Sequence, residues 1–343
     1  MDIIIPTIFL SLFGLFNLFG VNVSLFFRQL EYTIIGFAGF YFIKKIGYYF
    51  FRENSKFFYW LFLGILAITF IIGIEARGSK RWLDLYFFNF QASEFFKVFF
   101  ILYMADFFSS KKILENDLVY FLKSFIYFFI PAFIIFKQPD LANAAVFAFV
   151  YLIMIIFSQD YKKHLGYLAG LALMFAPLGW LVLRGYQRAR LMSFLNPHLD
   201  TKGISYNMIQ AVITIGSGMF FGRGLGLGTQ SKLFFLPENT TDFAYASLVE
   251  QFGFVGGFLV ILFYAAIIYI LAKKTIKYYY QRDRDGQRKF LYCLGLLSYL
   301  FFQISVNIGM NMGLLPVAGV ALPFITYGGS SVLAVLLGFA LLP

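Results

Sequence analysis

Cysteine, histidine and charge are all scarce in this chain. Of 343 residues only 13% are charged, with one cysteine, Cys293, and two histidines, His164 and His198. A single thiol excludes an internal disulfide and any cysteine-built metal cluster. Each histidine lies in its own polar stretch with no second ligand at metal-binding spacing, so the pattern offers no zinc site. No Gly/Ser/Pro linker, low-complexity tract or fixed-period repeat divides the sequence, and no polar stretch is long enough to fold alone. The opening segment, MDIIIPTIFLSLFGLFNLFG, lacks a basic n-region and an A-x-A site. It reads as a retained helix rather than a signal peptide.

What the chain has instead is apolar length. Its hydrophobic share is 60% and its aromatic share 22%, against roughly 45–50% apolar residues in soluble domains. Apolar runs near the ~20 residues that cross a bilayer as a helix fall at 3–20, 32–51, 57–75, 94–110, 118–136, 141–157, 164–183, 246–271, 289–308 and 324–342. The expected fold is therefore all-α: a polytopic membrane protein of about ten spans, with a large extracytoplasmic loop over 184–245 between the seventh and eighth. With a cytoplasmic N-terminus, the short inner loops collect Lys44, Lys45, Lys111, Lys112, Lys162, Lys163 and the 273–289 cluster, as the positive-inside rule asks. Part of the net charge of +11 then anchors the protein to anionic membrane lipids.

Cations on the outer side run against that rule. Arg77, Lys80 and Arg81 share one outer loop, and Arg184, Arg188, Arg190, Lys202, Arg223 and Lys232 the large one. They read either as a solvated surface or as an outward-facing anion site, such as one for a lipid pyrophosphate. Nucleic acid is not an expected partner, because these cations face away from the cytoplasm.

Four polar insertions carry candidate chemistry. In QASEFFKVFF, Glu94 and Lys97 sit three apart on one helix face, as a structural ion pair or a site pair. FKQPDLAN supplies Gln138 and Asp140, the latter placed to cap the sixth helix. In FFLPENTTDFAYASLVEQFG, Thr240 or Thr241 can cap the eighth helix. Asp242 lies near its start, where the dipole favours a carboxylate, and Glu238 and Glu250 flank it. Gln303, Asn307 and Asn311 recur every four residues, a polar stripe whose plain reading is glue between helices.

Together these stretches resemble the SEDS family, the polytopic proteins of bacterial shape, elongation, division and sporulation. The likeness runs in fixed order through GSKRWLDL, QASEFFK, KQPDLAN, RARLMSFLNPHLDTKGISYNMIQAVITIGSG, GRGLGLGTQSKLFFLPENTTDFAYASLVEQFG and NIGMNMGLLPVAGVALPFITYGGSS. ISYNMIQ, TIGSG and GTQ look more like the elongation branch, RodA, than the division branch, FtsW. The resemblance implies one membrane domain over 1–343, a peptidoglycan glycosyltransferase that polymerises lipid II on the outer face of the bacterial cytoplasmic membrane. It also implies a class B penicillin-binding protein as transpeptidase partner. By the family's LPE…TDF pattern, Asp242 is the catalytic residue, and Glu94 and Lys97 are the family's acid and lysine. The substrate-binding set expected on these grounds is Glu94, Lys97, Arg77, Lys80, Arg81, Gln138, Asp140, Arg188, Arg190, Lys232, Glu238, Glu250, Asn307 and Ser330. No cofactor is expected beyond a divalent cation, Mg or Mn. Ala92 stands where the family usually has proline, and Gln251 where a second glutamate is common. A lipid flippase or a non-catalytic scaffold of the cell-wall synthesis complex are the alternative functions.

Overall fold

A backbone surrounded by lipid must satisfy its own polar groups, and long apolar runs therefore fold as helices. The structure, a computed structural model, describes residues 2–76, 79–84, 89–110, 117–158, 165–166, 168, 170, 185–195, 204–281 and 283–343. Its helices are α1 (Ile4–Val21), α2 (Val23–Ile46), α3 (Tyr48–Glu53), α4 (Ser55–Ile72), α5 (Ala92–Ser109), α6 (Asp117–Lys137) and α7 (Leu141–Phe157). They continue as α8 (Gly185–Leu195), α9 (Ile204–Ser217), α10 (Thr229–Lys232), α11 (Ala244–Tyr279), α12 (Arg284–Asn311) and α13 (Gly329–Ala340). Among the described residues, α1, α4, α6, α11 and α12 are long and apolar enough to cross a membrane, and α7 and α13 are apolar but shorter. The expected span at 164–183, both histidines, Arg77, Arg184 and Lys202 lie largely or wholly outside the described residues.

Three boundaries differ from the sequence reading, each for a local reason. Helix α2 begins well before residue 32, because the Asn22 side chain accepts the Ser24 and Leu25 amides at 3.0 and 3.2 Å. Its polar residue Gln29 is buried and accepts the Gly328 amide at 3.1 Å, so it does not interrupt the helix. Within 184–245 lie α8, α9 and α10, so this region carries helices of its own. Between α4 and α5 the chain forms a small antiparallel sheet, β1 (Ile74–Ala76), β2 (Ser79–Asp84) and β3 (Asn89–Phe90), ordered β1-β2-β3. Ile74 pairs with Trp82 and Leu83 with Phe90, with a register shift between Ile74 and Glu75.

Helix α5 sits at the centre, buried along nearly its whole length and packed on α4, α12 and α13. Aromatic side chains fill this interior: Phe58 stacks on Phe99 at 5.0 Å and Phe96 on Phe147 at 5.6 Å. The outer faces carry exposed Ile34, Ile35, Phe42, Ile71 and Ile72, as expected of surfaces that meet lipid rather than water.

Helix α11 contains a break. Gly253 adopts φ 70° and ψ −170°, which interrupts the helical ladder. The freed groups pair with the 219–224 loop instead: Phe254 and Val255 amides donate to the Met219 and Phe220 carbonyls at 2.9 and 3.2 Å. In return, Arg223 and Gly224 amides donate to the carbonyls of Glu250 and Gln251 at 2.9 and 3.1 Å. The contact requires glycine on both sides, since a Cβ on Gly253 would lie 2.2 Å from the Gly222 nitrogen. The break thus clamps the loop before α10 onto α11, and the turn holding Asp242 lies just beyond.

Candidate active site

Asp242 lies in a tight turn immediately before α11. The Glu238 carbonyl, on a residue with φ 58°, accepts the amides of Thr241 and Phe243 at 3.1 and 3.0 Å. Three successive carbonyls are then gripped from elsewhere. That of Thr240 accepts the Tyr327 amide at 2.8 Å, and that of Thr241 accepts the Thr326 hydroxyl at 3.2 Å. The Asp242 carbonyl accepts the side-chain amides of Asn307 and Asn311 at 3.3 and 3.0 Å. The turn is therefore fixed by α12 and by the segment before α13 at once. Positive φ at Glu238 and at Phe324 (71°) marks strained backbone beside it, a feature that persists only where surroundings over-determine the conformation.

Neither Thr240 nor Thr241 caps α11. The helix has no side-chain bond from its N-cap residue, Phe243, and the Thr241 hydroxyl donates to Glu238 Oε2 at 2.7 Å. Asn311 does that work from α12: its Oδ1 accepts the Ala246 amide at 3.0 Å. The half-buried Asp242 side chain projects toward Gly319, whose φ is 70°. A Cβ on Gly319 would lie 3.6 Å from Asp242 Oδ2 and 3.7 Å from Arg190 Nη1. The carboxylate and the guanidinium thus border one small space, and Arg190 Nη1 also donates to the Val317 carbonyl at 3.4 Å.

A second polar cluster is buried at the start of α5. Lys97 Nζ is 2.7 Å from Glu94 Oε1 and donates to Asn143 Oδ1 at 3.0 Å, with Lys97 1% and Glu94 3% exposed. Asn143 Nδ2 donates to Asp140 Oδ2 at 2.8 Å, and the Asn143 amide to Asp140 Oδ1 at 3.2 Å. Asp140 therefore does cap α7, and it also faces Arg81 Nη1 at 3.7 Å. Arg81 bonds the carbonyls of Gln138 and Pro139, and Gln138 Nε2 donates to the Leu66 carbonyl at 3.2 Å. Ser330 Oγ accepts the Gln91 amide at 2.9 Å and donates to the Asn89 carbonyl at 3.0 Å, which seats α13 against β3.

Glu250 and Lys232 bond to the loop around α10. Glu250 is 0% exposed, and its carboxylate holds the loop: Oε1 accepts the Gln230 amide at 2.8 Å, while Oε2 accepts the Ser231 amide and hydroxyl at 2.9 and 2.6 Å. Gln251 ties that loop to α1, accepting the Gly226 amide at 3.0 Å and donating to Asn17 Oδ1 at 2.7 Å. Lys232 is exposed and donates to the Gly226 carbonyl at 3.0 Å, Lys80 is exposed on β2, and Arg188 is half-buried on α8. Asn143, Asn311, Thr326 and Gly319 were not singled out as site residues by sequence. The polar stripe of α12 carried a signal for Asn311, and the KQPDLAN insertion one for Asn143.

A family model described as "Cell cycle protein", covering FtsW, RodA and SpoVE, matches residues 4–343. The chain belongs to this family. It is 34% identical over 290 residues to the peptidoglycan glycosyltransferase MrdB of Escherichia coli (strain K12), covering 82% of this chain and 75% of that one. It is 32% identical over 321 residues to stage V sporulation protein E of Bacillus subtilis (strain 168), covering 92% and 85%. Solved structures share the fold. A chain from a peptidoglycan synthase complex that coordinates polymerization and crosslinking matches with TM-score 0.82 at 24% identity, over 99% of this chain and 95% of that one. The rod shape determining protein RodA of Thermus thermophilus matches with TM-score 0.72 at 22% identity, over 99% and 94%. Family membership and the apolar helices together make this a multi-pass membrane protein.

Proposed function

We propose that the protein is a peptidoglycan glycosyltransferase that polymerises lipid II on the outer face of the bacterial cytoplasmic membrane. Relatives at 34% identity are named peptidoglycan glycosyltransferase MrdB and probable peptidoglycan glycosyltransferase FtsW. The observation that carries the site assignment is the Asp242 carboxylate, mounted on a turn held from two other parts of the chain and bordering one space with Arg190.

The chemistry asks for little more. A sugar hydroxyl attacks the anomeric carbon of the lipid-linked donor, and the bond from that carbon to the pyrophosphate oxygen breaks. Asp242 takes the hydroxyl proton as general base, and Arg190 offsets charge developing on the departing pyrophosphate. Pyrophosphate leaves as a stable anion, so no second carboxylic acid is required, unlike the paired acids of glycoside hydrolysis. Glu94, Lys97, Asn143, Asp140 and Arg81 serve this reading as a buried, mutually paired cluster that braces α5 against α7. Among the described residues no group of three or more His, Cys, Asp or Glu side chains is placed to hold a metal. These side chains alone would not hold a Mg or Mn ion, and no step of the reaction is routed through one.

The partner supported by the likeness to a polymerizing and crosslinking complex is a class B penicillin-binding protein. The test is purified protein on lipid II, alone and with such a partner. Glycan strands are expected. Movement of lipid II across the bilayer without polymerisation would make the protein a flippase, and neither activity would make it a scaffold.

A further inference from the structure

The polar stripe of α12 continues beyond the Asp242 turn. Tyr299, Gln303, Asn307 and Asn311 recur every four residues on one helix face. Asn307 and Asn311 hold the Asp242 carbonyl, and at the other end the Tyr299 ring lies 4.8 Å from Lys97 Nζ. Between them Gln303 is 0% exposed, yet among the described residues neither its Oε1 nor its Nε2 has a hydrogen-bond partner. The Tyr299 hydroxyl and Glu94 Oε2 are likewise buried without a partner. Lys97 does not serve them, because its ammonium is engaged by Glu94 Oε1, Asn143 Oδ1 and the Tyr299 ring.

Buried polar atoms left dry are strongly unfavourable, and a carboxylate oxygen most of all. The set is complementary to a small amphoteric ligand: an acceptor on Glu94, a hydroxyl on Tyr299 that both donates and accepts, and an amide that does the same through two atoms. A cation is disfavoured by the Lys97 ammonium alongside. Water needs two to four such partners and is the usual occupant of buried polar seams. We infer that ordered water occupies the seam between α5 and α12, bridging Glu94 Oε2, the Tyr299 hydroxyl and the Gln303 amide. The water joins the Asp140, Asn143 and Lys97 cluster to Tyr299 and Gln303 of α12. It goes beyond the proposed activity, since the seam is hydrated whether or not Asp242 is the base.

Thermal unfolding of the full chain in detergent gives opposite signs for a wet and a dry seam. Tyr299→Phe removes one oxygen, and Gln303→Leu replaces the amide by an apolar side chain of similar size. In a hydrated seam each strips a partner from the water, and the apparent Tm falls by about 2 °C or more. The two losses are also non-additive, because both variants act on the same water. In a dry seam each removes an unsatisfied group, and the apparent Tm holds or rises. A Tyr299→Phe protein at or above the parent Tm overturns the inference, even if Gln303→Leu fails to fold. The readout is stability, so failure of the Asp242 assignment in a glycan assay leaves this result untouched, and the reverse also holds.

Discussion

A carboxylate in so apolar a chain is stable only with partners, and the acids here find them in different places. Glu94 has the Lys97 ammonium, Asp140 has the first turn of α7 and Arg81, and Glu250 has the amides of a loop. Removing one member of a buried pair leaves the other charge uncompensated, at a cost of about 3–5 kcal/mol. Lys97→Met is therefore expected to lower the apparent Tm sharply, and Lys97→Met combined with Glu94→Gln to recover much of the loss. A double variant no more stable than Lys97→Met would contradict the pairing. Glu250 belongs to the loop. Glu250→Ala should expose the 217–231 segment to limited proteolysis while the α5 cluster stays intact, and unchanged cleavage would refute that role. The three-residue spacing of Glu94 and Lys97 made their pairing legible in the sequence. The attachment of Glu250 to Gln230 and Ser231 was not, because those residues are distant in the chain and the bond depends on where a loop lands.

Among the elements, α11 shows most clearly how a break can organise a membrane helix. Gly253 turns four backbone groups outward to the 219–224 loop. Alanine there must both adopt φ 70° and displace backbone at 2.2 Å, a strain of at least about 1–3 kcal/mol. Gly253→Ala is expected to yield poorly folded protein. Gly39→Ala, where a Cβ meets nothing within 4 Å, should be neutral or slightly stabilising. Equal behaviour of the two variants by size-exclusion profile and Tm would contradict this account of the break. Hydrophobic runs located the helices because bilayer length constrains them, but the break at Gly253 depends on where the 219–224 loop lands, which no local pattern records. The small sheet was invisible for a related reason: its strands run from Ile74–Ala76, Ser79–Asp84 and Asn89–Phe90, too short for an alternating signal.

At the scale of the whole molecule, the proposed orientation puts the α10 loop outside and the α11–α12 turn inside. The native thiol, Cys293, is buried, so introduced cysteines report with little background. Thr229→Cys and Gln281→Cys, both at exposed positions, should label from opposite sides, and labelling of both from outside would overturn the orientation. The candidate site was legible as motifs and not as geometry. Asp242 and Arg190 stood out separately, whereas their approach to one space at Gly319, and the grip of Asn311 and Thr326 on the turn, join segments far apart in the chain. The central assignment is Asp242 as the base, and lipid II polymerisation by Asp242→Asn tests it most directly. Asparagine keeps the size of the side chain and leaves the backbone bonds of the turn in place, so monodispersity and Tm should match the parent. Glycan synthesis should fall by about 10²–10⁴ or more. A well-folded Asp242→Asn protein that polymerises lipid II near the parent rate would contradict the assignment.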